Sequence, residues 1–361
     1  MIIRLFYYTK FLFNMKSGLF LMAGLALMSA FTACSNDDEM KAVAQAEGTP
    51  LVVQSVGVAE VGTKAGITAG SFSGSETIGL YIYTGAKGTL SGAYNTASSS
   101  IPTVNVPYTQ GNPWTAAQPI ILSSTTGVVY GYYPHSGSAG DGSAVPVSVA
   151  ADQGTGQSAG TADASEQADY MYATAVENIS NKSARIATLT MNHALAMITF
   201  KFVQTSDDNI KYPGAGKVSK IILKNVDNTK SALKTGDGRM NIYSGATTGG
   251  VATVSSQPAS ITVQPSTETT LMGETAAAKL PRILVYPNTA VAAGDVEAII
   301  TVDGNDYKVP IPALTSTTGW NKGVNYTYTF TLKGTELQVT NVSIAPWVDK
   351  AEVGGDIQTP A

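Results

Sequence analysis

From residue 51 onward the chain is written in short apolar runs broken by turn residues, and this rhythm limits the fold more than any single motif. The clearest case is Glu297-Ala298-Ile299-Ile300-Thr301-Val302 followed by Asp306-Tyr307-Lys308-Val309. Asp303-Gly304-Asn305 joins them, and Asp-Gly or Gly-Asn steps supply the positive φ that a tight hairpin turn requires. Tyr326-Thr327-Tyr328-Thr329-Phe330-Thr331-Leu332 alternates with period two and stops at Lys333-Gly334. Leu51-Val52-Val53-Gln54-Ser55-Val56-Gly57-Val58 is short and β-branched. Ile78-Gly79-Leu80-Tyr81-Ile82-Tyr83 and Gly127-Val128-Val129-Tyr130-Gly131-Tyr132-Tyr133 read as strands, as do residues 190–203, 218–226 and 281–286. Helical signal is confined to Thr275-Ala276-Ala277-Ala278-Lys279, which stops before Pro281 and supports an isolated turn at most. Many short strands separated by turns predict an all-β protein made of β-sandwiches.

Only 13% of the residues are charged, too few to dress the outer faces of many helices. The formal net charge is −4 and no run of Lys or Arg occurs, which argues against a nucleic-acid partner. With 361 residues the chain is long enough for two domains of ordinary size. A boundary is expected near residues 178–185. The Gly/Ser/Ala-rich stretch 137–169 precedes it as either loop or linker, and a fresh apolar strand pair begins at Ile186.

The N-terminus carries an export signal. Lys16 precedes the apolar run Leu19-Phe20-Leu21-Met22-Ala23-Gly24-Leu25-Ala26-Leu27-Met28, and small residues follow. This run falls short of the ~20 residues that a bilayer-spanning helix needs. Phe31-Thr32-Ala33-Cys34 then places a cysteine directly after a small residue, as a bacterial lipoprotein signal requires. Cys34 becomes the lipidated N-terminus once residues 1–33 are cut away. It is the only cysteine in the chain, so no intramolecular disulfide competes for it. Each buried methylene of an acyl chain contributes ~0.8 kcal/mol, so a multiply acylated Cys34 anchors the protein to a membrane without a spanning helix. Met15-Lys16-Ser17 opens an ordinary signal by itself, and Met15 is the expected start. Residues 34–50, with Asp37-Asp38-Glu39, form an acidic tether.

Little points to catalysis, a metal or a cofactor. His135 lies in the turn Tyr133-Pro134-His135-Ser136-Gly137, and His193 in Met191-Asn192-His193-Ala194 at the head of a strand. Neither has Cys, His or Glu at ligand spacing, so both read as structural. Gly214-Ala215-Gly216-Lys217-Val218-Ser219 lacks the spacing of a phosphate loop and leads into a strand. Asp227-Asn228 and Asp237-Gly238 are loop acids without EF-hand spacing. Trp320 and Trp347 sit beside turns and read as core anchors closing the second domain.

Several pieces, in order, carry a family resemblance. They are Cys34 with Asp37-Asp38, Phe72 leading to Ile78-Gly79-Leu80-Tyr81, Tyr130-Gly131-Tyr132-Tyr133-Pro134, and Asp169-Tyr170-Met171-Tyr172-Ala173. His193-Ala194-Leu195-Ala196-Met197-Ile198-Thr199-Phe200, Trp320-Asn321-Lys322-Gly323 and Val342-Ser343-Ile344 complete the set. The chain resembles the fimbrillin family of Bacteroides-type bacteria, subunits of protease-assembled pili (fimbriae). The resemblance implies two tandem transthyretin-like Greek-key β-sandwiches, here residues 51–184 and 185–361. It also implies an outer-membrane, cell-surface protein whose partners are other pilus subunits. A trypsin-like protease would cut between Lys64 and Ala65, where many relatives carry arginine, so lysine favours a protease tolerant of it. The strand 51–61 would leave, and a strand from the next subunit would fill the groove and build an adhesive filament. The donor would be either residues 348–361 or residues 337–344. The alternative is a monomeric surface lipoprotein that binds a glycan or host protein through a sandwich face.

Overall fold

The computed structural model describes residues 48–59, 72, 75–94, 101–154, 167–205, 207, 209–264, 269–270, 281–314 and 319–346. Every regular element among them is a β-strand. Cys34, Lys64, Ala65, Trp347, the 275–279 segment and the 348–361 segment lie outside the described residues.

The first sheet runs Val52–Val58, Ile186–His193, Met171–Ala173, Gly127–Tyr133, Thr77–Tyr83, Val106–Thr109, with Val176–Ile179 also paired to Gly127–Tyr133. Period-two alternation gives this sheet two working faces. Ile78, Leu80 and Ile82 enter one buried cluster with Val129, Ala187, Leu189 and Met191. Tyr81, Tyr83, Tyr130 and Tyr132 point the other way, into a second cluster shared with Val145, Val147 and Met240. Those residues lie on a three-stranded sheet, Thr247–Val251, Thr235–Met240 and Val145–Val149.

The remaining strands form a sandwich. One layer is Arg282–Val285, Ala196–Gln204, Val324–Lys333 and Glu336–Pro346; the other is Ser260–Val263, Lys217–Asn225, Val296–Val302 and Asn305–Pro310, with Thr269–Thr270 also on Lys217–Asn225. Phe200, Phe202, Tyr326, Tyr328 and Phe330 of the first layer and Ile221, Leu223, Ala298 and Ile300 of the second are all buried in one cluster. The expected hairpin is present, with Val302 opposite Asn305 and positive φ at both Asp303 and Gly304.

Strand pairing differs from the expected division near 178–185. Ile186–His193 completes the first sheet, and the chain changes sheets at Ala194-Leu195. In that sheet Ala187, Leu189 and Met191 face inward, onto the first cluster. The run 190–203 is therefore two strands in two sheets.

Trp320 is a core anchor, fully buried, and its Nε1 donates to the Tyr328 hydroxyl at 3.0 Å. Tyr328→Phe removes that acceptor and leaves a buried indole N–H unpaired. Urea unfolding of the variant should show a loss of about 1–3 kcal/mol; an unchanged midpoint and slope would mean that the bond contributes nothing.

Candidate functional site

Val52–Val58 is unlike its neighbours. It occupies the end of the first sheet and runs parallel to Ile186–His193, whereas the other pairs in that sheet are antiparallel. No hairpin ties it to its partner, since the two strands are far apart in sequence. Its main chain is held on both sides. Val52 N donates to Arg185 O at 2.9 Å and Ala59 N to Met191 O at 2.6 Å. On the far side Leu51 N donates to Ile120 O at 2.8 Å, and Trp114 N donates to Val53 O at 2.9 Å. The strand thus lies in a slot with one sheet wall and one loop wall.

Its side chains fill that slot. Leu51, Val53 and Val56 are buried in the first cluster, with Val58 partly so. Gln54 and Ser55 are both exposed. The pairing explains two exposed neighbours: Val53 lies opposite Ala187 and Ser55 opposite Thr188, so Gln54 is an extra residue, a bulge that shifts the phase. After it, Val56 meets Leu189 and Val58 meets Met191. Each fully buried aliphatic contributes about 1.5–3 kcal/mol, so the strand is held firmly while its segment remains continuous with the fold.

Residues lining the slot also contact one another. Tyr108 is buried, its hydroxyl donates to Leu51 O at 3.4 Å and accepts from Ile120 N at 3.1 Å. Burial pushes its phenol up to about 12, so it stays protonated through the physiological range. Phe72, beyond the expected cut, packs edge-on against Trp114 at 5.5 Å and against Tyr133 at 5.0 Å. Gln110 Nε2 donates to Phe72 O. Phe72 therefore pins the chain that would be retained, next to the wall that contacts Val53.

At the exit end of the slot, Ala59, Tyr172, Asn192, His193, Lys322 and Pro346 line a cavity of about 230 Å³. The Lys322 ammonium sits 4.7 Å over the Tyr172 ring. His193 is buried, with Nδ1 2.8 Å from Asp169 Oδ2, a partner 24 residues away that sequence spacing does not reveal. The cavity is lined both by Ala59, one residue past the N-terminal strand, and by the last residue of Glu336–Pro346.

The other residues singled out in the sequence lie elsewhere in the fold. Gly216 N and Lys217 N donate to the Asp303 carboxylate at 2.9 Å each, so this Gly-rich loop holds the chain's own anion, and those bonds keep the Asp303 carboxyl below its usual range. Asp227 closes a local turn by accepting from Thr229 N at 2.8 Å. His135 N donates to Thr77 O at 2.9 Å. Residues 337–344 lie in the edge strand Glu336–Pro346 and are paired with Val324–Lys333, so donating them requires that pairing to break.

Among curated proteins no sequence matches this chain. Two crystal structures share its fold. A candidate cell adhesion protein from Bacteroides ovatus is 16% identical, with a TM-score of 0.60 over 84% of this chain and 99% of the other. Another from Bacteroides uniformis is 15% identical, with a TM-score of 0.53 over 83% and 99%. The fimbrillin-like sequence profile matches residues 63–347, beginning one residue before Lys64 and taking in every strand after the slot. The chain belongs to the fimbrillin-like family.

Proposed function

We propose that this chain is a structural subunit of an adhesive surface filament. It is exported as a lipoprotein through Cys34, cut by a trypsin-like protease between Lys64 and Ala65, and assembled at the outer membrane by strand exchange. One observation carries this reading: the segment before Lys64 is a parallel end strand in a two-walled slot, and its loss would bare Ala187, Leu189 and Met191. Bared strand edges are templates for strand addition. Main-chain bonds to an incoming strand supply affinity and alternate side chains set register. A donor and an acceptor that are different segments of one subunit make a contact that does not close, and a fibre grows. The donor in this reading is residues 348–361 of a neighbouring subunit.

Unheated and boiled samples of the sheared surface fraction, run on SDS gels and blotted for this protein, test the proposal. The expected result is a ladder that collapses on boiling to a band shorter than the lipoprotein. A single full-length band retained with the cells would sink it and favour an anchored monomer that binds a glycan or host protein.

A further inference from the structure

Strand edges left unpaired in native proteins carry features that discourage pairing, and among the described sheets every edge but one does. Val106–Thr109, Ser260–Val263 and Arg282–Val285 have four residues each, and the two small sheets are built of two-residue strands. Val145–Val149 carries Pro146, Thr247–Val251 carries Gly249-Gly250 beside a bulge, and Asn305–Pro310 carries Asp306, Lys308 and Pro310. Val52–Val58 is covered by its loop wall. Glu336–Pro346 ends its layer and runs for 11 residues. Its only charge is Glu336 at the start and its only proline is Pro346 at the end. One bulge interrupts it at Thr340, since Thr329 lies opposite Asn341 and Phe330 opposite Val339. Beyond the bulge Asn341–Pro346 is regular, and no described strand pairs with its outer edge.

The inward side chains of that stretch are also short of cover. Val342 lies opposite Tyr328 and Ile344 opposite Tyr326, and both tyrosines are fully buried. Val342 and Ile344 share their face yet are only half-buried. The opposing layer ends at Asn305–Pro310, which lines a groove with Glu336, Leu337, Gln338 and Val339. That lining stops before Val342.

We propose that Glu336–Pro346 is an interface for a second copy of this chain, the two strands pairing antiparallel across a two-fold axis at Ser343. Val342 of each copy then lies opposite Ile344 of the other, Asn341 opposite Ala345 and Thr340 opposite Pro346. This register keeps inward residues with inward ones and joins the two four-stranded layers into one sheet. The surface is complementary to itself: residues 340–346 carry no charge, so no like charges meet, and each Val342 gains an apolar cross-strand neighbour. The contact is isologous and closes, so it sets subunits side by side and cannot lengthen a fibre. It needs neither a cut nor an exchanged strand, and so stands apart from the reading above. So short a ladder makes a small interface, with an expected Kd of about 10–100 μM. The pair falls apart in SDS, where a ladder reports strand exchange alone.

Cross-linking tests the register in the whole mature chain from residue 34, with Cys34→Ser to remove its only thiol and Lys64→Ala to prevent cutting. Directly opposed antiparallel residues have Cα atoms about 4.5–5.5 Å apart, within the about 4.4–6.8 Å that a disulfide spans. Ser343→Cys faces its own copy and should form disulfide dimers under mild oxidation. Asn341→Cys and Ala345→Cys each lie ~13 Å from their own copies. Alone they should link about tenfold more slowly, yet link with each other when mixed. Ser343→Lys sets two ammonium groups against each other and should raise the Kd read by sedimentation about tenfold, with Tm unchanged. Equal linking by the three single-cysteine chains would overturn the inference, as would pairing that Ser343→Lys leaves intact. So would a chain that stays monomeric at concentrations well above the expected Kd. None of these results touches strand exchange, which the gel ladder of the cut chain reads separately.

Discussion

Lys64→Ala should leave the precursor uncut, monomeric and attached through Cys34, with a loss of processing of at least about a hundredfold. A trypsin-like enzyme needs a cation for its specificity pocket, and removing a buried charge partner costs on the order of several kcal/mol of recognition. The sequence offers no substitute nearby: Lys64 is the only Lys or Arg between Lys41 and Lys87. Lys87 lies beyond the slot, in the body of the fold, where it pairs with Glu177 at 3.3 Å. Lys64→Arg should restore cutting, which separates charge recognition from any effect on folding. N-terminal sequencing of the surface material reads the result directly. Ala65 appearing as the first residue of the Lys64→Ala protein would sink the site.

Much of the fold was legible because local pattern dictates it. The Asp303-Gly304 hairpin, the Tyr326–Tyr328 alternation and the buried Trp320 follow from turn chemistry and from side chains that must face inward. Pattern reveals which face of a strand is buried but not which sheet receives it. Ile186–His193 shows its inward set plainly, yet nothing local says that it belongs with Val52–Val58. Ala194-Leu195-Ala196 is buried throughout, so the run carries no mark where the sheets change. The slot was hidden for the same reason: a parallel pair of strands distant in sequence has no turn to announce it. The bulge was legible only afterwards, since Gln54-Ser55 reads as broken alternation until its partner register is known.

Val53→Asp should divide the two lives of this chain. In the precursor Val53 is fully buried, opposite Ala187 and bonded through its carbonyl to Trp114 N. An aspartate there has no cation within the cluster, so the strand must leave the slot or carry an unpaired buried group. The cost is about 3–5 kcal/mol, or a fall of roughly 5–15 °C in Tm for a domain of this size. In the proposed assembly Val53 departs with the cut peptide, so the filament built from Val53→Asp protein that survives export should dissociate at the wild-type temperature. Leu189→Asp tests the complementary wall. That residue is buried and retained, so the substitution should lower precursor Tm and block laddering alike. The pair of variants thus distinguishes a strand that is lost from a wall that is kept. If Val53→Asp weakened precursor and filament equally, the strand would have stayed in place and assembly would proceed by another contact.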